Sequence, residues 1–150
     1  AEKAGIYGMV GGQVVDVASC GVGLDEGMLN FIYELKTGAL IESSMMIGAL
    51  LAGAEDAELE KVQKIASDVG IAFQIQDDIL DVTSTTEELG KPVHSDEKNE
   101  KTTYVTLKGL EKATRDVEVI SQEALELLSG LDRENPYLTQ LIQELIHRKK

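Results

Sequence analysis

The chain has 150 residues, enough for one domain with a hydrophobic core, and 43% of them are hydrophobic. Its net charge of −13 argues against nucleic acid and anionic membranes as partners, because both are bound largely through lysine and arginine. The most apolar run, residues 37–53, contains Glu42 and is shorter than the roughly 20 residues that cross a bilayer, so no membrane insertion is expected. The single cysteine, Cys20, cannot form an internal disulfide, and a cytoplasmic location is therefore expected.

Helical periodicity runs through the chain, and no segment shows the clear alternation of a strand. The expected helices cover residues 6–17, 25–35, 36–51, 56–82, 103–128 with a break near Gly109, and 137–147. Residues 36–51 are apolar almost all round, which predicts a helix that is buried on most sides. The polar residues 83–101 are interpreted as a loop that is long enough to be functional. These patterns predict an all-α helical bundle.

The most informative segment is residues 73–81, FQIQDDILD, near the end of a long amphipathic helix. At about 100° per residue, one arc of this helix carries Gln74, Asp77, Asp78 and Asp81. Neighbouring carboxylates repel one another unless a cation joins them, and Mg²⁺ prefers oxygen ligands. The alternative is an acidic face exposed to solvent. Two features count against it: no basic residue lies at i±4, and Gln76 falls in the apolar arc.

Basic residues that could bind phosphate occur on both sides of the acidic helix. Lys36 and Thr37 are predicted to begin an apolar helix, where free N–H groups favour phosphate. A Thr cap beside an exposed Lys would also explain this pair. Lys91 and Lys101 lie in the loop that follows the acidic helix, where a lysine is ordinarily solvated.

Gln13 and Asp16 lie one turn apart on one face of the first predicted helix. The glycines before them, Gly11 and Gly12, are not a dinucleotide-binding fingerprint, because no strand precedes them. Alone, this pattern indicates no particular ligand.

Together the motifs resemble those of the trans-isoprenyl diphosphate synthases (polyprenyl synthetases), most closely the bacterial farnesyl diphosphate synthases. In chain order they are GGQxxD at 11–16, KTGAL at 36–40, GxAFQxQDDILD at 70–81, LGK at 89–91 and EKTTY at 100–104. The resemblance implies the isoprenoid synthase fold, an all-α bundle around a deep cavity. It implies a prenyltransferase that condenses isopentenyl diphosphate with an allylic diphosphate by metal-assisted ionisation. The implied cofactor is Mg²⁺, with Mn²⁺ as the alternative.

The same resemblance implies roles for individual residues. The implied catalytic residues are Lys36, Asp77, Asp78, Asp81 and Lys91, and the three aspartates are the implied metal ligands. The implied substrate-binding residues are Gln13, Asp16, Lys36, Thr37, Gln74, Lys91 and Lys101.

The sequence lacks the family's first aspartate-rich motif and its basic site for isopentenyl diphosphate. Residues 1–150 are therefore expected to be the C-terminal part of a single isoprenoid synthase domain and to be inactive alone. Exposed apolar faces would favour association, and farnesyl-type enzymes are homodimers, so a homodimer is expected. The alternative function is a non-catalytic helical subunit or interaction module that keeps the metal and diphosphate half-site.

Overall fold

The computed structural model describes residues 1–85, 96, 100–146 and 148. A short 3₁₀ helix at Glu2–Ala4 precedes the α-helices, which are α1 (Met9–Ala18), α2 (Glu26–Tyr33), α3 (Ala39–Leu51), α4 (Asp56–Thr83), α5 (Tyr104–Lys108), α6 (Leu110–Ser129) and α7 (Pro136–Ile146). No strand occurs in the described ranges, and the predicted all-α class is confirmed. None of the helices in the described part of the chain combines the length and the apolar character needed to span a bilayer.

Helix α4 lies at the centre of the bundle and packs against α2, α3, α5, α6 and α7. Its apolar side chains recur at spacings of three and four, so one stripe of the helix faces the core. Ile65, Val69 and Ile75 in this stripe are almost completely buried. The facing helix α6 contributes Val117 and Leu128 to the same aliphatic cluster. The acidic end of α4 is therefore continuous with the hydrophobic core.

The connection between α2 and α3 differs from the sequence prediction. Residues Glu34–Gly38 form a π-helical turn, so a continuous helical rod runs from Glu26 to Leu51. The prediction that Lys36 and Thr37 begin a helix is wrong, and the phosphate argument from a helix N-terminus fails with it. A π-turn inserts one extra residue into a helix, and apolar periodicity does not reveal that insertion.

The prediction that residues 36–51 are buried on most sides is also wrong. Leu40, Ile47, Leu50 and Leu51 are between 40% and 85% exposed. Only part of the surface of α3 packs against α4, since a uniformly apolar helix does not determine how many neighbours cover it. Helix α1 also exposes valines, so the expected apolar surfaces are present on both helices. Association through these surfaces stays a prediction.

Two glycines permit close helix contacts around the π-turn. A Cβ atom at Gly12 would lie 2.4 Å from the backbone nitrogen of Lys36, and one at Gly70 would lie 2.9 Å from the Cα of Gly38. Real side chains do not tolerate these distances, so α1 and α4 approach the π-turn because both positions lack a side chain. This approach places Asp16, one turn after Gly12, beside Lys36.

Candidate functional site

A small polar cleft of about 60 Å³ lies where α1, the π-turn, α4 and residues 101–103 meet. The residues predicted from sequence that line it are Asp16, Lys36, Gln74, Asp77, Asp78 and Lys101. Asp16 and Lys101 are 85 positions apart in the chain. The fold therefore gathers into one cleft the residues that were singled out separately in the sequence.

Asp16 bridges the two lysines of the cleft. Its Oδ2 accepts hydrogen bonds from Lys36 Nζ at 2.9 Å and from Lys101 Nζ at 2.8 Å. Burial alone would raise the pKa of the Asp16 carboxyl, but hydrogen bonds and positive charge from Lys101 and Lys36 outweigh burial and lower the pKa below its usual 3.8. One carboxylate thus holds two ammonium groups side by side, a spacing that also suits the oxygens of a phosphate.

Asp16→Asn is expected to lower the free energy of unfolding by about 1–2 kcal/mol at neutral pH, because the two lysines lose their shared anion. The folded-state pKa of Asp16 lies below the unfolded value of 3.8. Its contribution is therefore present above that value and is lost as the pH falls through the folded-state pKa. Urea unfolding of both proteins at neutral pH and below pH 3.8 should show their difference shrinking in acid. The control Glu111→Gln, at an exposed ion pair, should show no such change. A difference that is equal at both pH values would contradict this account.

The three aspartates of the acidic run at the end of α4 have three different surroundings. Asp77 lines the cleft, and 36% of its side chain is exposed. Asp81 is only 2% exposed, and its Oδ2 accepts the backbone N–H of Asp96 at 3.3 Å. Asp78 is 8% exposed and belongs to a buried hydrogen-bond network. Asp77 is therefore the most accessible of the three, and metal coordination by each of them stays a prediction.

In that network, Asp78 Oδ2 accepts hydrogen bonds from the Tyr33 hydroxyl and, at 2.7 Å, from the backbone N–H of Tyr104. Burial raises the pKa of the Asp78 carboxyl to about 7, although these two hydrogen bonds oppose the shift. Burial, with the adjacent Asp78 charge, also raises the pKa of Tyr33. The network connects the start of α5 to α4 and to the helical rod beside the cleft. The Thr103 side chain caps the start of α5.

Sequence reasoning missed Tyr33. No local pattern singles it out, because its hydrogen bond with Asp78 joins residues 45 positions apart.

Sequence reasoning also missed Arg148, which contacts the acidic helix. Its Nη2 donates to Asp77 Oδ1 at 2.9 Å, and its guanidinium carbon lies 3.8 Å from the centroid of the Phe73 ring. Gln76 Nε2 donates to the Arg148 carbonyl at 3.4 Å, which explains why a polar residue occupies the apolar arc. This basic partner of the acidic run is 71 positions away rather than at i±4, so no local pattern could reveal the contact.

Four predicted residues are not among the described residues that line the cleft, and Asp81 is one of them. Lys91 is outside the described residues. Gln13 and Thr37 are half-buried and are not among the described residues that line the cleft. Their binding roles stay predictions.

In the described ranges, no three or more His, Cys, Asp or Glu side chains converge on one metal position. Mg²⁺ does not require such a cluster, since it usually takes one or two carboxylates and completes its shell with water and phosphate oxygens. An accessible Asp77 beside two lysines fits a metal that arrives with a phosphate ligand.

A larger cavity, of about 640 Å³, lies between α3, α4, α6 and α7. Its lining is mainly apolar and includes Met45, Val62 and Leu138. None of the predicted site residues is among the described residues that line it. The smaller polar cleft is therefore the candidate site, because it holds the groups that can bind charged ligands.

Fold and cleft together define an all-α protein with a carboxylate-and-lysine site beside its central helix. Residues 3–144 match the Polyprenyl synthetase family, and the chain belongs to that family. Over 135 residues it is 44% identical to the heterodimeric geranylgeranyl pyrophosphate synthase large subunit 1 of Arabidopsis thaliana, covering 88% of this chain and 36% of that protein. Over 143 residues it is 39% identical to a geranylgeranyl diphosphate synthase of Cyanophora paradoxa, covering 94% of this chain and 47% of that one.

Solved structures share the fold, which confirms the expected isoprenoid synthase architecture. A geranyltransferase from Helicobacter pylori, complexed with magnesium and isoprenyl diphosphate, superposes with a TM-score of 0.80 at 34% identity over 97% of this chain and 48% of that one. An FPP/GFPP synthase from Zymomonas mobilis gives a TM-score of 0.79 at 29% identity over 96% of this chain and 47% of that one. The chain thus spans less than half the length of these relatives.

Proposed function

We propose that the chain is part of a Mg²⁺-dependent prenyltransferase that condenses isopentenyl diphosphate with an allylic diphosphate, and that the polar cleft forms one wall of its active site. The observation that carries the proposal is the meeting of Lys36, Lys101 and Asp77 in one cleft. A metal-bound diphosphate needs cationic donors for its oxygens and a carboxylate for its metal, and these residues supply both. Family membership supports the reaction class.

In this assignment each group has a separate task. Lys36 and Lys101 bind the diphosphate oxygens, and Asp77 binds the metal, with Asp81 supporting it. Asp78 positions the segment that begins at Tyr104, through the hydrogen bond to the Tyr104 backbone N–H. The proposal keeps the binding roles that the family resemblance implies for the aspartates and for Gln13, Thr37, Gln74 and Lys91.

The reaction begins when the C–O bond of the allylic diphosphate breaks and both electrons stay with the departing diphosphate. The ammonium groups of Lys36 and Lys101 are preorganised by Asp16, so they can stabilise that growing negative charge without first being ordered. When bound, the metal supplies further charge neutralisation. The double bond of isopentenyl diphosphate then attacks the allylic cation and forms the new C–C bond. The departed diphosphate accepts the proton that the resulting cation loses.

Three finer assignments belong to the same proposal: Mg²⁺ as the metal with Mn²⁺ as the alternative, a homodimer, and a cytoplasmic location. The location is supported by Cys20, which is a free cysteine, although several curated relatives are chloroplastic. The proposal concerns the reaction class, because the relatives are named for products of different lengths.

Calorimetric binding of geranyl thiodiphosphate, an allylic analogue that resists ionisation, tests the proposal with and without Mg²⁺. Binding is the appropriate readout because the chain spans less than half the length of its relatives. We expect binding that requires Mg²⁺ and weakens roughly tenfold in Lys36→Ala and in Lys101→Ala. Lys61→Ala, an exposed lysine on α4 away from the cleft, is the matched control.

Two outcomes would count against the proposal. If Lys61→Ala weakened binding as much as the two cleft variants, the cleft would not be the binding site. If the chain bound no analogue although circular dichroism showed it to be folded, the non-catalytic helical module would be the better description.

A further inference from the structure

We propose that Arg148 is a built-in counter-ion for Asp77: it occupies the metal-binding carboxylate in the metal-free site and leaves it when a divalent cation binds. The inference rests on the proposed function, since it assumes that Asp77 binds the metal. It goes further by assigning a residue that the aspartate-rich and lysine motifs do not include.

Several contacts dock Arg148 on the acidic helix. The guanidinium donates to Asp77 Oδ1 at 2.9 Å and lies over the Phe73 ring, while the Arg148 carbonyl accepts a hydrogen bond from Gln76 at 3.4 Å. Phe73, Gln76 and Asp77 all lie on α4, within one turn of one another. Arg148 is therefore held by charge, by ring stacking and through its backbone at one place.

One atom of the docked arginine is poorly satisfied. The Nε of Arg148 is buried and has no hydrogen-bond partner among the described residues. A buried donor without a partner costs free energy, whereas in water the same N–H would be hydrated. This cost offsets part of the stabilisation from the ion pair and the ring. The free energy needed to release Arg148 is therefore smaller than these contacts alone would suggest.

Mg²⁺ and the guanidinium compete for the negative charge of the Asp77 carboxylate. A carboxylate oxygen binds Mg²⁺ at about 2.1 Å, and a second cation at hydrogen-bond distance would then be strongly repelled. Ile146, the last residue of α7, is fully buried, so the helix can stay in place while Arg148 moves. Metal binding is therefore an exchange at Asp77 and not a simple addition.

The first test is calorimetric titration of this chain with Mg²⁺ and inorganic pyrophosphate. Arg148→Gln should bind Mg²⁺ roughly three- to tenfold more tightly than the wild type, because the competing cation is gone. Arg115→Gln, which removes an exposed arginine paired with Glu111 one turn away, should leave the Kd unchanged. A Kd that Arg148→Gln leaves unchanged or makes weaker would overturn the inference.

The second test needs no substitution at Arg148, so it holds even if Arg148→Gln fails to fold. The chain has three arginines, and Arg115→Gln and Arg133→Gln assign the Arg148 Nε–H signal in NMR spectra by elimination. Mg²⁺ with pyrophosphate should move this signal to the position of a solvated arginine and speed its exchange with water. The Arg115 and Arg133 signals should not move.

The outcomes separate this inference from the proposed function. An Arg148 signal that stays in place while Mg²⁺ binds would overturn the counter-ion role and leave the proposed function standing. A folded wild-type chain that binds no Mg²⁺ at any pyrophosphate concentration would overturn both.

Discussion

Asp78→Ala is expected to lower the free energy of unfolding by about 2–3 kcal/mol, because two buried donors lose their acceptor. The Tyr33 hydroxyl and the backbone N–H of Tyr104 both donate to Asp78 Oδ2. The tyrosine oxygen lies 3.2 Å from the same N–H and can still accept it, but the hydroxyl proton then has no carboxylate to bind. The small cavity left by the truncated side chain adds to the cost.

Urea unfolding followed by circular dichroism measures this effect, and two neighbouring variants make it specific. Asp77→Ala, at the partly exposed neighbour, should cost less than about 1 kcal/mol, since its ion pair with Arg148 is partly screened by water. Asp78→Asn keeps one acceptor oxygen and should fall between the two. Equal losses for Asp77→Ala and Asp78→Ala would show that the two carboxylates do not have the separate roles assigned here.

Asp77→Ala is expected to weaken Mg²⁺-dependent binding of the allylic analogue roughly 100-fold or more, while leaving the chain folded. Among the three aspartates, Asp77 is the one whose carboxylate is substantially open to the cleft. Without it, the metal loses its accessible carboxylate, and the lysines must supply most of the binding to the ligand. Calorimetry with and without Mg²⁺ should therefore give nearly the same weak affinity for this variant.

Glu60→Gln removes an exposed carboxylate from the same helix at a distance from the cleft, and it should bind as the wild type does. Addition of EDTA should reduce the wild type to the affinity of Asp77→Ala. Tight binding by Asp77→Ala that still depends on Mg²⁺ would show that another carboxylate holds the metal, and it would contradict the assignment of Asp77 as the metal ligand.

Much of the helical architecture follows from local chemistry. The long helix α4 was predicted over residues 56–82 and is observed over Asp56–Thr83, because its apolar residues recur at helical spacing. The predicted break near Gly109 is confirmed, and that residue has a φ of 82° that other residues rarely adopt. The convergence of Lys36, Asp77 and Lys101 was implied by the family resemblance and by no local pattern.

What the sequence could not predict depends on contacts between distant segments. Helical spacing alone does not show which groups surround each aspartate of the acidic run. Tyr33 and Tyr104 bury Asp78, and Asp81 accepts the backbone N–H of Asp96. Helical spacing specifies the direction of a side chain but not its neighbours. Arg148 was missed for the same reason.

The π-turn at Glu34–Gly38 lets the direction of Lys36 differ from the direction that the apolar faces of the flanking helices would fix in a regular helix. In an α-helix, the direction of every side chain is tied to that of its neighbours by about 100° per residue. One extra residue shifts the phase between the two flanking helices, so each keeps its own apolar face while Lys36 is turned towards Asp16. The angle of a ligand-binding lysine could thus change during evolution by a single insertion, without redesign of the core on either side.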